Sequence, residues 1–121
     1  MPLHGLHVLV AEDEWMIAMT VEEWLQAEGA TVLGPVPSVE EGLALLAHSP
    51  PPDAAVLNVN LGGELSYPLA DRLLALGAPF LFASGQVGAA HPDRFAAVPH
   101  LEKPVDEGDL VRAVERLVRG G

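Results

Sequence analysis

The side chains in this chain that are suited to chemistry fall just behind apolar runs. "VLVAEDE" (8–14) ends in Glu12, Asp13 and Glu14, and "DAAVLNVNLGG" (53–63) carries Asn58 and Asn60. "FLFASG" (80–85) ends near Ser84, and "LEKP" (101–104) sets Lys103 before Pro104. Clustered carboxylates hold a hard cation such as Mg²⁺ through oxygen ligands. A lysine and a hydroxyl bind the oxygens of a phosphoryl group. Such a set lacks only a nucleophile, and a carboxylate at position 58 would supply it by forming an acyl phosphate. Position 58 is instead an asparagine. Each residue alone has a plainer use. Acids at a helix start cap it and complement its dipole. A lysine before proline is ordinarily a surface residue, and a serine after a strand a turn residue. Their joint placement at successive strand ends is what argues for a site.

The elements that must position them follow from periodicity. Apolar runs at 6–11, 30–36, 54–59 and 78–84 read as strands, and 99–104 holds a short fifth. The run at 54–59 is apolar enough to be buried on both faces. Between them, 13–29 reads as a helix with Ile17, Val21, Trp24 and Leu25 on one face and Gly29 as its stop. The segment 38–49 opens with Ser38 and has Glu41 three residues later, the pattern of a capping box. The segment 66–77 is a helix with Ser66 as its cap and Gly77 as its stop. The segment 106–121 is the last helix, striped by Leu110, Val111, Val114, Leu117 and Val118. The stretch 85–98 holds glycines and a proline and predicts a fourth helix that is short or irregular. Strand–helix alternation implies an α/β fold, a parallel sheet covered on both faces. Five strands suggest a flavodoxin-like doubly wound arrangement, with its site beyond the carboxyl ends of the strands.

Bulk properties narrow the function. A chain of 121 residues fits a single domain, 1–121, and half of it is hydrophobic. Seventeen acids against six basic residues give a net charge of −11. Binding to a phosphate backbone needs basic patches, so direct nucleic-acid contact is not expected. No apolar run approaches a membrane span, and the start lacks the charge pattern of a signal peptide. There is no cysteine for thiol chemistry or disulfides. Together these point to a cytoplasmic protein with no membrane contact. His4 and His7 lack a third ligand for a metal site. "GGE" (62–64) lacks the spacing of a phosphate-binding glycine loop. Trp24 belongs to the core stripe, and Trp15 lies at the site rim or on the surface. A flavin or other small-molecule protein on this fold would need a phosphate-cradling loop after the first strand. The chain has "AEDEW" there, whose charge repels a phosphate.

The four quoted motifs, in order and spacing over essentially the whole chain, resemble the receiver domains of two-component response regulators. That resemblance implies a (βα)₅ fold with sheet order 2-1-3-4-5. It also implies transfer of phosphate from a histidine kinase or phosphotransfer protein to an aspartate at the end of the third strand, with Mg²⁺. Glu12 and Asp13 would be the acidic metal pocket, with position 58 and the backbone carbonyl of Asn60 as further ligands. Ser84 would be the switch hydroxyl, and Lys103 the phosphate-contacting lysine. The family's aromatic switch position falls on His100, whose imidazole can change rotamer and bring pH sensitivity. The phosphoacceptor position falls on Asn58, so Mg²⁺ binding is expected to be weakened and a stable acyl phosphate is not expected. This is then a signalling module and not an enzyme. Two readings of Asn58 fit: a replacement of aspartate in an ordinary receiver, or a natural pseudo-receiver acting by phosphorylation-independent contacts. The intact remainder of the site favours the first. No output domain follows, so the resemblance implies a stand-alone regulator or a receiver cut from a longer protein, passing its signal to a downstream protein target. Family habit implies a homodimer through the face of the fourth helix, fifth strand and fifth helix.

Overall fold

In the computed structural model, which describes residues 2–85 and 91–119, the apolar runs become five parallel strands. They are β1 (His7–Ala11), β2 (Thr31–Val36), β3 (Ala54–Asn58), β4 (Phe80–Ser84) and β5 (His100–Glu102). Their order in the sheet is β2-β1-β3-β4-β5, as the doubly wound reading requires. Helices α1 (Trp15–Ala27), α2 (Val39–Ala47), α3 (Tyr67–Leu76) and α4 (Glu107–Val118) connect or follow them. All five strands point the same way, so their carboxyl ends share one edge. There Ala11 lies beside Leu57, and Asn58 beside Ala83.

Alternation along the strands divides the core between two faces. Leu9, Ala55, Leu57, Phe80 and Phe82 pack with α2, α3 and Phe95. Val8, Val10, Val56 and Leu81 pack with Leu25 of α1 and with Leu110 and Val114 of α4. Each fully buried leucine or phenylalanine contributes about 1.5–3 kcal/mol, so the central strands anchor the site edge rigidly. The α4 stripe is only partly sunk: Leu110 and Val114 are buried, whereas Val111, Leu117 and Val118 pack at the margin.

Local signals place the helix ends. Ser38 Oγ accepts from the Glu41 N–H at 3.1 Å, and its hydroxyl lies 3.3 Å from the Glu41 carboxylate. Gly77 ends α3 in the left-handed region at φ 71°, which glycine adopts without a Cβ clash. Ser66 takes the N-cap position of α3, as expected, but does not cap with its side chain. Its backbone sits at φ −80°, ψ 7°, not in the extended conformation a cap needs, and its side chain makes no capping bond. Its buried hydroxyl finds no partner among the described residues. Between β4 and β5 the described residues hold a single 3₁₀ turn, Asp93–Phe95, in place of an α-helix. Residues 86–90 of the predicted fourth helix lie outside the described residues. The turn after β3 is flanked by a two-residue ribbon, Asn60–Leu61 against Glu64–Leu65, closed by Gly62 and Gly63 at positive φ.

Candidate functional site

The side chain of Asn58, at the end of β3, fills the centre of the strand edge. Its Nδ2 donates to Glu12 Oε2 at 3.1 Å, to Asp13 Oδ1 at 3.0 Å and to the Asn60 carbonyl at 2.7 Å. Three oxygens thus converge on one nitrogen. The amide turned the other way would set its oxygen against two carboxylates and a carbonyl, so the donor orientation is the favourable one. The acids are not spent on capping α1. Its N-cap, Glu14, makes no side-chain cap, and the Glu14 N–H is itself bonded to Glu12 Oε2 at 3.1 Å.

Neutralisation from within the chain continues around the pocket. Lys103, behind β5, bonds Glu12 Oε1 at 2.6 Å, and both partners are largely withdrawn from water. The Gly62 N–H donates to Asp13 Oδ2 at 3.0 Å. Burial alone would raise the Asp13 carboxyl. Hydrogen bonds from Gly62, with Glu12 and Asn58, outweigh it and hold Asp13 below its ordinary range. The donor set fits a hard cation. Glu12, Asp13 and the Asn60 carbonyl offer the oxygen ligands that Mg²⁺ prefers, but on the point now taken by an N–H donor. A cation would have to displace the Asn58 amide from the same three oxygens.

One strand further along the edge, Ser84 is buried at the end of β4, its Oγ 2.8 Å from His100 Nε2 on β5. The chain of polar contacts extends away from the pocket. His100 Nδ1 lies 3.3 Å from His91 Nε2, and His91 Nδ1 lies 2.9 Å from the Tyr67 hydroxyl on α3. His91 stacks on Phe82 with ring centroids 4.6 Å apart. Burial, then the neighbouring His100, lowers the His91 pKa below its usual 6.5.

The structure therefore brings Glu12, Asp13, Asn58, the Asn60 carbonyl and Lys103 together, and sets Ser84 and His100 in contact beside them. His91 and Tyr67 were not singled out by sequence reasoning. His91 lies in a segment without periodicity, and nine residues separate it from His100, so only the fold pairs them. A mainly apolar cavity of about 510 Å³ opens beside Asn58 and Lys103, walled by Met16, Ile17, Trp24 and Val105. Trp15, Met16 and Met19 stand exposed on α1, Met16 also lining the cavity, and Trp24 is only partly buried, not a core residue throughout.

No family model and no curated protein matches the chain. Solved structures do. SdrG from Sphingomonas melonis Fr1 is 37% identical, with 98% of each chain covered and a TM-score of 0.80. The BeF3-activated conformation of SdrG from Pseudomonas melonis Fr1 is 38% identical over 93% of this chain and 95% of that one, with a TM-score of 0.77. A CheY-like response regulator receiver domain from Methylobacillus flagellatus shares the fold at 24% identity, over 95% of this chain and 98% of that one, with a TM-score of 0.76. With its sheet order and with SdrG 37% identical over 98% of its length, the chain belongs to the response regulator receiver domains. Among the described residues, no helix is long and apolar enough to cross a membrane.

Proposed function

We propose that this chain is a receiver module whose acceptor position is closed by Asn58, so that it relays a signal by protein contacts and takes up no phosphoryl group. The observation that carries this reading is the Asn58 amide, bonded at once to Glu12, Asp13 and the Asn60 carbonyl. An amide is a poor nucleophile, and here it also occupies the place a cation needs. Glu12, Asp13 and the Asn60 carbonyl would hold Mg²⁺, which when bound would neutralise charge on a phosphoryl group. Lys103 and Ser84 are the groups that would contact that phosphoryl group, and His100 would follow the movement of Ser84. Partners of this class are a histidine kinase or phosphotransfer protein and a downstream protein target. The exposed Trp15, Met16 and Met19 of α1, of which Met16 lines the cavity beside the site, supply apolar surface for such a contact.

Intact mass after incubation with a small phosphodonor and Mg²⁺ tests the reading, with the chain run beside Asn58→Asp. The expected result is a phosphoryl gain by the variant alone. A gain by neither would show that the pocket has lost its chemistry beyond position 58, leaving a pseudo-receiver. A gain by the chain itself would overturn the role given to Asn58. SdrG has a BeF3-activated conformation, so beryllofluoride is the matching non-covalent probe for Asn58→Asp.

A further inference from the structure

The contacts Tyr67–His91–His100–Ser84 form one line of hydrogen bonds across α3, the segment before the 3₁₀ turn, β5 and β4, at 2.9, 3.3 and 2.8 Å. Each imidazole uses both ring nitrogens in it. A neutral imidazole has one donor and one acceptor nitrogen, so the line runs in only two directions. In one, the Tyr67 hydroxyl donates to His91, His91 to His100, and His100 to Ser84 Oγ. In the other, Ser84 donates to His100, His100 to His91, and His91 to the Tyr67 oxygen. Any other neutral arrangement sets two N–H groups or two lone pairs against each other at the 3.3 Å contact.

One added proton removes this choice. With either imidazole charged, the 3.3 Å contact still holds one proton, and both outer nitrogens become donors. Tyr67 and Ser84 Oγ must then both accept, and the Ser84 proton is released from His100 to seek another acceptor. The state of the imidazole pair thus decides whether Ser84 is permitted to spend its proton on His100.

We propose that His91 and Tyr67 are positioning residues that act through His100 on Ser84, making the orientation of the switch hydroxyl responsive to protons. This rests on Ser84 being the switch residue of the proposed receiver. The surroundings suit the role. Tyr67 faces His91 from α3, and His100 faces it from β5. The nearby Arg94 is bound to Asp71 of α3 at 2.6 Å, so that cation is already matched. Among the described residues, no carboxylate lies within ion-pair distance of either imidazole. Burial, then the facing His100, holds the His91 pKa below the usual imidazole range.

The test is an NMR pH titration of the whole chain, following His91 and His100 ring nitrogens and the backbone amide of Ser84. His91→Phe keeps a ring on Phe82 without nitrogens, and Tyr67→Phe removes only the hydroxyl. In the parent, the Ser84 amide should shift with the same midpoint as the His91–His100 pair. His91→Phe should move that midpoint, because His91, held low by burial and by His100, no longer shares the proton. Tyr67→Phe should shift it by a smaller amount with the fold unchanged. A Ser84 amide that does not titrate, or one whose midpoint is the same in folded His91→Phe, overturns the proposal. Adding beryllofluoride and Mg²⁺ to Asn58→Asp reads the underlying assignment separately. If Ser84 stays still there, the switch role fails whatever the pH titration shows. If Ser84 responds there but not to pH, only the proton coupling fails.

Discussion

Replacing Asn58 by aspartate should reverse the electrostatics of the pocket. The amide nitrogen now meets two carboxylates and a carbonyl at 2.7–3.1 Å. A carboxylate in its place turns those attractions into repulsions. Two unit charges about 3 Å apart interact by about 1.4 kcal/mol in bulk water and about 5.5 kcal/mol at an effective dielectric of roughly 20. The Glu12 contact belongs nearer the upper value, since Glu12 is 6% exposed. The Asp13 contact belongs nearer the lower, since Asp13 faces solvent. Hydrogen bonds to charged groups worth about 1.5–3 kcal/mol are lost as well. Lys103, 2.6 Å from Glu12, offsets part of the repulsion, and the new side chain can swing away. A net fall of about 2–4 kcal/mol in unfolding free energy follows in buffer free of divalent cations. Mg²⁺ should restore it, by about 2.7 kcal/mol at a hundredfold excess over its Kd. Urea unfolding of both proteins, in chelator and across a Mg²⁺ series, reads both effects. The reasoning is refuted if Asn58→Asp unfolds at the parent's midpoint in chelator, or if Mg²⁺ stabilises the parent as much as the variant.

Further outcomes follow from the same structure. Lys103→Met leaves the buried Glu12 carboxylate without its cation and should cost about 2–4 kcal/mol in urea unfolding, with much of it recovered in Glu12→Gln/Lys103→Met. Ser66→Ala should be neutral or stabilising, within about 1 kcal/mol, because the hydroxyl is buried without a partner among the described residues; a loss as large as that of a true capping serine would contradict this. His91 binds a proton less readily folded than unfolded, so its contribution to stability is complete above pH 6.5 and declines as pH falls below it. Melting temperature against pH should show that decline, and His91→Phe should remove it. Asp13, held low in the folded state, adds a separate loss that begins only as pH falls through the carboxylate range near 3.8 and below.

Most of the scaffold was legible because strand and helix periodicities are local properties of the chain. Continuous apolar runs in β1 from Val8 to Ala11 and in β3 foretell a sheet covered on both faces, and a glycine behind α3 marks its end whatever packs around it. The residues of the pocket were legible too, since each sits at a strand end and parallel strands bring their ends to one edge. Ser66 was rightly placed at the N-cap, but its missing side-chain bond was not legible, because that bond depends on backbone angles and not on residue type. What composition and order determined by themselves is an acidic, doubly wound α/β chain with chemistry-bearing residues, Asn58 among them, at its strand ends; its motifs added the resemblance to receivers. What only the tertiary structure decided is how that amide is used and what Ser84 is wired to. The hydrogen bonds from Asn58 to Glu12, and between His91 and His100, join groups whose separation in the chain carries no periodic signal. Their direction depends on side-chain geometry, which becomes defined when the packed strands and helices hold those groups within bonding distance.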